Sequence, residues 1–377
     1  MAAITSGLSG RLTVDLGALA RNWRALDIIS PGALTAAVVK ADAYGTGITE
    51  AARALSAAGA QFFFTATVDE ALSVRAALPD THVFVLNGLY PGAANLYVRQ
   101  NLMPVLSSMA MLEEWLAKCV EKGEAFPAAL HFDTGMNRLG FRLNEAAAVR
   151  NRIEQLGFSP QMIMSHLACA DQPSHEKNRT QLALFQSVLT HFPRVPASIA
   201  NSAGLMIGRD YHFQLVRPGI ALYGGRAVVG RRNPMVPVVR LDVPILQVKE
   251  ARTGEMVGYG ATQTLSRDSK LAILAHGYAD GYFRSLSGSN ARGGGKVFLR
   301  GRACPVVGRI SMDLTIVDVT ELAPDLPVPG EMAQVFGPDI LIDEVADAAG
   351  TIGYEILTSM KGRYQRQYVV DGEADQG

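Results

Sequence analysis

Cysteine is scarce in this chain of 377 residues: Cys119, Cys169 and Cys304 are the three present, and they lie far apart. No C-x-x-C pair occurs, which argues against a zinc site and is typical of a reducing compartment. The sequence also lacks an excess of either charge, since 35 basic residues balance 35 acidic ones. Without a net charge to attract them, a nucleic acid and an anionic membrane are not expected partners.

Two kinds of hydrophobic segment are missing as well. Residues 1–10 contain neither a basic region nor an apolar run, so no secretory signal is visible. No uninterrupted apolar stretch is long enough to predict a transmembrane helix. We therefore expect a cytoplasmic protein. Its 48% hydrophobic and 19% charged residues are typical of a globular enzyme, and its length favours two domains.

The first part of the chain alternates short apolar runs with helical patterns, at a spacing typical of strand–helix units. The helical pattern Ile48–Ala58 ends at Gly59, and Thr67 with Glu70 forms a capping-box pattern before the next helix. Eight strands are predicted, at Ala36–Lys40, Gln61–Ala66, His82–Asn87, Met103–Ser107, Ala128–Asp133, Met162–His166, Ala197–Asn201 and Gln214–Tyr223. This arrangement predicts an α/β fold, a (β/α)8 TIM-type barrel. A doubly wound sheet is the structural alternative.

After Pro234 the pattern changes to short alternating strands divided by Gly- and Pro-rich turns. The predicted strands are Val239–Glu250, Lys270–Ala275, Lys296–Leu299, Ala303–Val307 and Leu314–Val319. This pattern predicts a mostly β C-terminal domain. We expect a barrel over residues 1–234 and a β domain over residues 235–377, and about the first ten residues could pack with the β domain.

Charged and polar residues follow the predicted barrel strands, where catalytic groups lie in such barrels. Lys40 ends the first predicted strand, and a desolvated lysine can lose its charge and act as a Schiff-base amine. A lone lysine at a strand end is more often a surface residue with a buried stem. Later strand ends add Arg138, His166, Ser202 and Arg217. Each alone would ordinarily be structural, but together they resemble a phosphate-bearing cofactor site, since loops after strands seven and eight commonly bind phosphate.

These motifs resemble those of the alanine racemase family of pyridoxal-phosphate enzymes. The segment Val38–Gly45, with the sequence VVKADAYG, is similar to the family's cofactor attachment motif. Further motifs follow in the family's order, at Asp133–Gly140, Asn201–Ala203, Val216–Gly219, Gly258–Thr262, Gly277–Tyr282, Gly308–Asp313 and Thr351–Glu355. The resemblance therefore covers nearly the whole chain.

The resemblance implies a pyridoxal 5'-phosphate site in the barrel. Lys40 would hold the cofactor covalently, Arg217 would face the pyridine nitrogen, and Arg138 would lie on the side of the phenolic oxygen. His166 would lie near the ring and hydrogen-bond to Arg217. The residues expected to hold the phosphate are Tyr44, Ser202 and Tyr354, together with the backbone amides near Gly219 and Ile220. No metal is implied.

The resemblance also implies the reaction, the interconversion of L-alanine and D-alanine by two bases, Lys40 and Tyr259. The Met312 amide and Arg138 would bind the substrate carboxylate. Tyr282 and Asp313 would be entrance or support residues. A homodimer is implied, with active sites shared between its chains. The product would supply cell-wall synthesis or the enzyme would act in alanine catabolism, and the sequence does not decide between these roles.

Four positions depart from the commonest family pattern. Asp42 and Thr46 stand where Asn and His are usual, and Gly353 replaces an Asn. His131 stands where the family often has a carbamylated lysine, whose negative charge positions the neighbouring arginine. A histidine cannot be carbamylated in that way, so either a bound anion supplies the charge or Arg138 is oriented by the neutral imidazole and backbone groups.

Three other functions fit parts of the pattern. A barrel-type pyridoxal-phosphate decarboxylase would share both domains, but that group has an acidic residue before Pro-Gly where this chain has Arg217. A cofactor-carrying protein with one barrel would lack the domain that contains Tyr259 and Met312. The remaining alternative is a racemase with wider specificity, for instance toward serine.

Overall fold

The computed structural model describes residues 10–322, 327–360 and 362–370. The prediction for the first ten residues therefore lies outside the described residues, apart from Gly10. The described residues form two compact units. The barrel unit contains residues 19–222 and 226–235, and the β unit contains residues 10–18, residues 223–225 and the described residues from Val236 onward.

The helices and strands are numbered in chain order. The strands are β1 (Gly10–Asp15), β2 (Leu34–Thr35), β3 (Ala37–Val38), β4 (Phe62–Thr65), β5 (His82–Val85), β6 (Met103–Leu106), β7 (Ala129–His131), β8 (Met162–Met164), β9 (Ala197–Ser198), β10 (Leu215–Val216), β11 (Val239–Ala251), β12 (Met256–Val257), β13 (Gln263–Thr264), β14 (Ser269–Leu274), β15 (Lys296–Leu299), β16 (Arg302–Pro305), β17 (Thr315–Asp318), β18 (Met332–Phe336) and β19 (Tyr364–Val369). The helical segments are α1 (Leu16–Ile29), α2 (Lys40–Tyr44), α3 (Ile48–Ala58), α4 (Val68–Ala77), α5 (Ala94–Arg99), α6 (Met109–Lys122), α7 (Ala146–Gln155), α8 (Glu176–Leu189), α9 (Ser202–Ile207), α10 (Ile342–Ala349) and α11 (Gly353–Ser359).

Parallel strands in chain order form the core of the barrel unit. Strands β3 to β9 make one sheet in which each strand pairs with the next. Strand β10 pairs with β2 in parallel, the Arg217 amide donates to the Ala200 carbonyl at 2.9 Å, and the Val38 amide donates to the Pro218 carbonyl at 3.1 Å. These bonds join the last strand to both the seventh and the first, so the predicted barrel is confirmed.

Helix boundaries in the barrel follow the local sequence signals. Helix α3 has the predicted bounds, and the Gly59 amide donates to the carbonyls of Leu55 and Ser56. Helix α4 begins with the predicted capping box, in which the Thr67 side chain accepts from the Glu70 amide and the Glu70 side chain accepts from the Thr67 amide. Both signals are local, which explains why sequence alone found them.

Two predicted strand ends are wrong. The eighth strand was expected over Gln214–Tyr223, but only Leu215–Val216 pairs as a strand, and Ile220–Tyr223 is a 3-10 helix. Pro218 lacks an amide hydrogen, so the ladder cannot continue through it. The first strand was expected to end at Lys40, but β3 ends at Val38, and Lys40 begins the short segment α2.

The β unit is built on one mixed sheet of eight strands. Strands β16, β15, β18, β11, β1 and β19 follow each other in space, while β14 joins β11 and β17 joins β14. The first described strand, β1, pairs antiparallel with β11 and parallel with β19, the last described strand. The mostly β character of this part is confirmed, but strands β18 and β19 and helices α10 and α11 were not predicted.

Candidate active site

Lys40 is followed by an unusual backbone turn. Residues Ala41–Tyr44 all have positive φ, between 53° and 55°, so α2 has left-handed backbone geometry. For residues other than glycine this conformation costs about 1–2 kcal/mol each, and such strain persists only where neighbouring groups hold it. Side chains hold this turn at several points: Glu70 Oε1 accepts from the Ala41 amide at 2.7 Å, and the Thr46 hydroxyl donates to the Ala43 carbonyl at 2.6 Å.

The residues Asp42 and Thr46, which depart from the family pattern, are part of this support. Asp42 Oδ1 accepts from the Ile48 amide at 2.8 Å, at the start of α3. Thr46 is fully buried and closes the turn from inside. Both residues therefore fix the backbone of this turn. Thr46 has a shorter side chain than the His that is usual in the family, and Asp42 is charged where the usual Asn is neutral.

The Lys40 amine lies in surroundings that disfavour its charge. Burial lowers the pKa of Lys40, the positive charge of Arg138 lowers it further, and the negative charge of Glu70 opposes both. A lowered pKa increases the neutral fraction of the amine, which is the form that acts as a nucleophile or a base. The predicted chemical role of Lys40 is thus consistent with its environment.

Arg217 is buried at the end of β10. Its guanidinium donates to the Ser198 hydroxyl and, at 2.6 Å, to the Ser165 carbonyl. Burial lowers the pKa of Arg217 to about 9, which still leaves the side chain cationic at neutral pH. The guanidinium carbon also lies 6.0 Å from the centre of the Phe64 ring. Arg217 is therefore a fixed cation inside the barrel.

His166 makes a different side-chain contact from the predicted one. We predicted a hydrogen bond from His166 to Arg217, but His166 Nε2 instead lies 3.5 Å from the Asn201 side-chain nitrogen. The pKa of His166 is well below its ordinary value because of burial, then the charges of Arg217 and Arg138. A neutral imidazole is an acceptor for the Asn201 amide, so Asn201 is a site neighbour that the sequence analysis did not identify. The signal was its position next to Ser202 in the same motif.

Tyr44, Ser202 and Gly219 lie close together. The Ser202 hydroxyl accepts from the Gly219 amide at 2.8 Å and from the Ala221 amide at 3.4 Å. A Cβ atom on Gly219 would lie only 2.2 Å from the Tyr44 hydroxyl oxygen. Glycine is therefore required at this point, because the backbone and the phenol approach each other too closely for a side chain. Two hydroxyls and the adjoining backbone at Ile220 form a group of the kind that binds phosphate.

The loop that contains Arg138 is shaped by Asp133. Its Oδ1 atom accepts from the amides of Gly135, Met136 and Asn137 at 2.8–3.1 Å. Arg138 itself is exposed. At the preceding strand end, His131 is buried, and its pKa falls to about 4 because of burial, then the charges of Arg217 and Arg138, against the opposing charge of Asp133. His131 is therefore neutral at pH 7 and supplies no negative charge to Arg138.

In the β unit, Tyr259 lies in a glycine-rich turn. Gly258 and Gly260 on either side have φ of 71° and 73°, and the Tyr259 side chain is 72% exposed. A Cβ atom on Gly260 would lie 2.7 Å from Arg309 Nη1, so a guanidinium lies beside this turn. A pocket of the β unit is lined by Tyr259, Arg309, Ser311 and Leu314, among others. Tyr259 is thus an accessible phenol with a cation nearby.

Met312 lies on the loop that borders the same pocket. Its carbonyl accepts from the Ala279 amide at 3.0 Å, and the Ser311 carbonyl accepts from the Tyr278 amide at 3.1 Å. Met312 is 54% and Tyr278 is 41% exposed. Tyr278 was not identified from the sequence, although it belongs to the quoted motif Gly277–Tyr282. Its exposure beside Met312 makes it a candidate substrate-side residue.

Asp313 and Tyr282 support this part of the β unit. Arg363 pairs with Asp313 at 2.8 Å and with the buried Asp280 at 3.0 Å. Tyr282 is buried, with its ring centre 4.7 Å from that of His276. These contacts favour a role for Asp313 and Tyr282 in supporting the fold of the β unit over a role at the entrance of the active site.

Tyr354 lies at the start of α11, half-buried, next to Gly353. A Cβ atom on Gly353 would lie 2.8 Å from Asp343 Oδ1. Asp343 therefore occupies the space that a larger residue at position 353 would need, which explains why this chain has glycine there. The predicted site residues consequently fall in both units. Those in the β unit are Tyr259, Tyr282, Met312, Asp313 and Tyr354, and the others are in the barrel unit.

The two units match two family models in order along the chain. Residues 14–227 match the model described as "Alanine racemase, N-terminal domain", and residues 238–368 match "Alanine racemase, C-terminal domain". The chain belongs to the alanine racemase family.

Full-length relatives support this membership. The alanine racemase of Rhizobium meliloti (strain 1021) is 48% identical over 96% of this chain and 97% of its own. Two proteins of Agrobacterium fabrum are also similar. The biosynthetic alanine racemase is 48% identical over 96% of this chain and 94% of its own. The catabolic alanine racemase is 44% identical over 97% of this chain and 94% of its own. The similarity therefore includes relatives named for either physiological role.

A solved structure is similar to this member of the alanine racemase family over both units. It is the alanine racemase from Bartonella henselae with covalently bound pyridoxal phosphate, at 37% identity and a TM-score of 0.90, covering 96% of this chain and 99% of that one. Among the described residues of this family member, no helix is long and apolar enough to cross a membrane. Within the same residues, no cluster of histidine, cysteine and acidic side chains could hold a metal ion.

Proposed function

We propose that this chain is an alanine racemase that interconverts L-alanine and D-alanine, with pyridoxal 5'-phosphate held on Lys40 and with Lys40 and Tyr259 as the two bases. The observation that carries the proposal is the environment of Lys40: a lysine whose pKa is lowered by burial and by Arg138, in the same barrel unit as the buried cation Arg217, in a chain that belongs to the alanine racemase family. Relatives named alanine racemase match it over nearly their whole length.

The residues of the barrel fit pyridoxal phosphate. Lys40 would hold it covalently, and the Tyr44 and Ser202 hydroxyls with the backbone at Gly219 and Ile220 would bind its phosphate. Because Gly219 has no Cβ atom, the Tyr44 hydroxyl can lie against its backbone without a steric clash. Tyr354, from the β unit, would add a third hydroxyl to the phosphate. When bound, the cofactor supplies an electron-withdrawing ring that stabilises negative charge at the substrate Cα atom.

Arg217 would set the protonation of the cofactor ring. A cation facing the pyridine nitrogen disfavours adding a proton to that nitrogen. Since Arg217 remains cationic at pH 7 and is fixed by Ser198 and Ser165, it keeps this role without rearrangement. An unprotonated ring would withdraw electrons less strongly and would thereby disfavour transamination. The same position distinguishes this chain from barrel decarboxylases, which have an acidic residue there.

The two bases act on opposite faces of the substrate Cα atom. Lys40 removes the proton from one face or returns it there, and Tyr259 does the same on the other face. A phenol that acts as a base needs positive charge or hydrogen-bond donors nearby, and the Arg309 guanidinium lies beside the turn that contains Tyr259. Arg138 and the Met312 amide hold the substrate carboxylate, and Tyr278 lies next to Met312.

We further propose a homodimer with two shared active sites. The two bases belong to different units, and Tyr259 is largely exposed on its own unit. In a two-fold dimer, each site would contain Lys40 of one chain and the partner's Tyr259.

We place the enzyme in the cytoplasm, because all three cysteines are free thiols and two of them are buried.

A racemisation assay on purified protein tests the proposal. L-Alanine and L-serine are each incubated with the enzyme, and the D-enantiomer is measured over time, with Lys40→Ala as the inactive control. We expect conversion of L-alanine to dominate. A rate on L-serine equal to that on L-alanine would instead indicate a racemase of wider specificity, and no D-alanine at all would refute the proposal.

A further inference from the structure

One carboxylate, that of Glu70, contacts two neighbouring loops at the carboxyl end of the barrel. Its Oε2 atom accepts from the amides of Ala66 at 2.8 Å and Thr67 at 3.3 Å, in the loop between β4 and α4. Its Oε1 atom accepts from the Ala41 amide at 2.7 Å, directly after Lys40. The two oxygens therefore serve different loops.

Of these contacts, the capping box explains only the one with the Thr67 amide. A glutamate at the third position of a helix ordinarily accepts from the amide of the capping residue, here Thr67. Nothing in that motif requires a bond to a residue 29 positions earlier in the chain. The bond to Ala41 is possible because β3 and β4 are adjacent, with the Val39 amide donating to the Phe64 carbonyl at 2.9 Å.

The Ala41 amide is the point where the chain enters its left-handed turn. Ala41 has φ of 55°, and the next three residues keep the same sign. Ala41 and Asp42 are exposed, so packing does not hold this end of the turn. The opposite end is held by the buried Ala43 and Tyr44. Glu70 is thus the side chain that fixes the strained backbone where the Lys40 side chain departs.

We propose that Glu70 is a positioning residue for Lys40: its Oε1 atom fixes the left-handed turn, and its charge stabilises the protonated nitrogen of Lys40. The proposal rests on the proposed function, in which Lys40 carries the cofactor. The charge of Glu70 supports the proposal, because it raises the pKa of Lys40, whereas burial and the charge of Arg138 lower it. His166 also faces Lys40 electrostatically, but its lowered pKa leaves it neutral.

Two substitutions separate the charge of Glu70 from its hydrogen bonds. Glu70→Gln keeps the shape and one acceptor oxygen but removes the charge, and Glu70→Ala removes both acceptors. The matched control is Thr67→Ala, which removes the capping hydroxyl of α4 and leaves the bond between Glu70 and Ala41 intact. If Glu70 acted only through the helix cap, Thr67→Ala would reproduce its effects.

Hydrogen–deuterium exchange of the loaded enzyme, read by mass spectrometry, measures the turn. In Glu70→Ala we expect exchange in the peptide covering residues 40–47 to be about tenfold faster, since a hydrogen bond to a charged acceptor is lost. Glu70→Gln should show a smaller increase, because its remaining oxygen can still accept from Ala41. Thr67→Ala should accelerate exchange in the first turn of α4 and leave residues 40–47 unchanged.

A pH titration of the cofactor absorbance measures the second effect, the proton on the nitrogen that joins Lys40 to the cofactor. Both Glu70 variants should lower its apparent pKa by ~0.5 unit or more, because a nearby negative charge is removed. Thr67→Ala should not change it. The proposal requires a change in hydrogen exchange and a change in the titration. It is overturned if either change is absent from both Glu70 variants. It is also overturned if Thr67→Ala shows the same two changes.

The attachment site is checked first, so that two kinds of failure stay distinct. Borohydride reduction and peptide mapping of the wild-type enzyme should find the cofactor on Lys40. A different lysine would refute the proposed function itself. The adduct on Lys40 together with unchanged Glu70 variants would refute only the role of Glu70. If Glu70→Ala does not fold, Glu70→Gln alone decides through the titration and the exchange.

Discussion

Replacing Gly219 by alanine tests the proposed phosphate-binding group of Tyr44, Ser202 and the backbone at Gly219. The new Cβ atom would lie 2.2 Å from the Tyr44 hydroxyl oxygen and 3.0 Å from its ring carbon Cζ. Ordinary van der Waals contact begins at 3.4 Å, so the phenol must move by more than 1 Å. Gly219 does not have positive φ, and the effect is therefore steric and not a matter of backbone strain. Overpacking of this kind costs about 1–3 kcal/mol.

Two measurements follow from that displacement. The melting temperature of Gly219→Ala should fall by ~2–4 °C for each kcal/mol of lost stability. Moving the Tyr44 hydroxyl would also remove its proposed hydrogen bond to a charged phosphate, so cofactor affinity should fall about tenfold or more. Thermal unfolding and fluorescence titration of the cofactor measure the two effects separately.

The chain provides matched controls for this substitution. Gly293 has no atom within 4 Å of a new Cβ, so Gly293→Ala should change neither stability nor cofactor affinity. Adding Tyr44→Phe to Gly219→Ala removes the closest atom and should restore stability, but not affinity, because the hydroxyl is lost. Wild-type affinity in Gly219→Ala, or restored affinity in the double variant, would refute the phosphate-binding role of Tyr44.

The remaining predictions concern His131 and the shared site. If a bound anion orients Arg138 beside the neutral His131, the rate of racemisation should depend on chloride, and His131→Lys should reduce that dependence. Identical kinetics in halide-free buffer would instead favour orientation of Arg138 by the imidazole and backbone groups. Mixing Lys40→Ala with Tyr259→Phe under conditions of subunit exchange should restore activity, since one site of each mixed dimer then has both bases. Confirmed exchange without activity would refute the shared site.

Local signals in the sequence predicted the helices that they cap. Thr67 and Glu70 lie three residues apart, and Gly59 follows α3 directly, so each motif depends on a few adjacent residues. Alternating strands and helices likewise predicted the barrel, because each strand is a buried apolar run. The motifs containing Lys40 and Arg217 follow such strands, and their resemblance to the alanine racemase family indicated the chemistry.

Features that depend on distant contacts were missed. Residues Ala41–Tyr44 include no glycine, and their left-handed backbone is held by side chains outside the segment, those of Glu70 and Thr46. The β19 strand pairs with β1 from the opposite end of the described chain, and no local pattern predicts such a partner. The Arg217 guanidinium donates to Ser165 and Ser198 in place of His166 because side-chain direction is set by the packed barrel.

Exchange of the α-proton in deuterated water tests the two-base account most directly. Loss of the α-proton from L-alanine and from D-alanine is followed separately by NMR, for the wild-type enzyme and for Tyr259→Phe. If Tyr259 serves the L-face and Lys40 the D-face, the variant should lose exchange from L-alanine far more than from D-alanine. Equal losses from both enantiomers would contradict the assignment of the two bases to opposite faces.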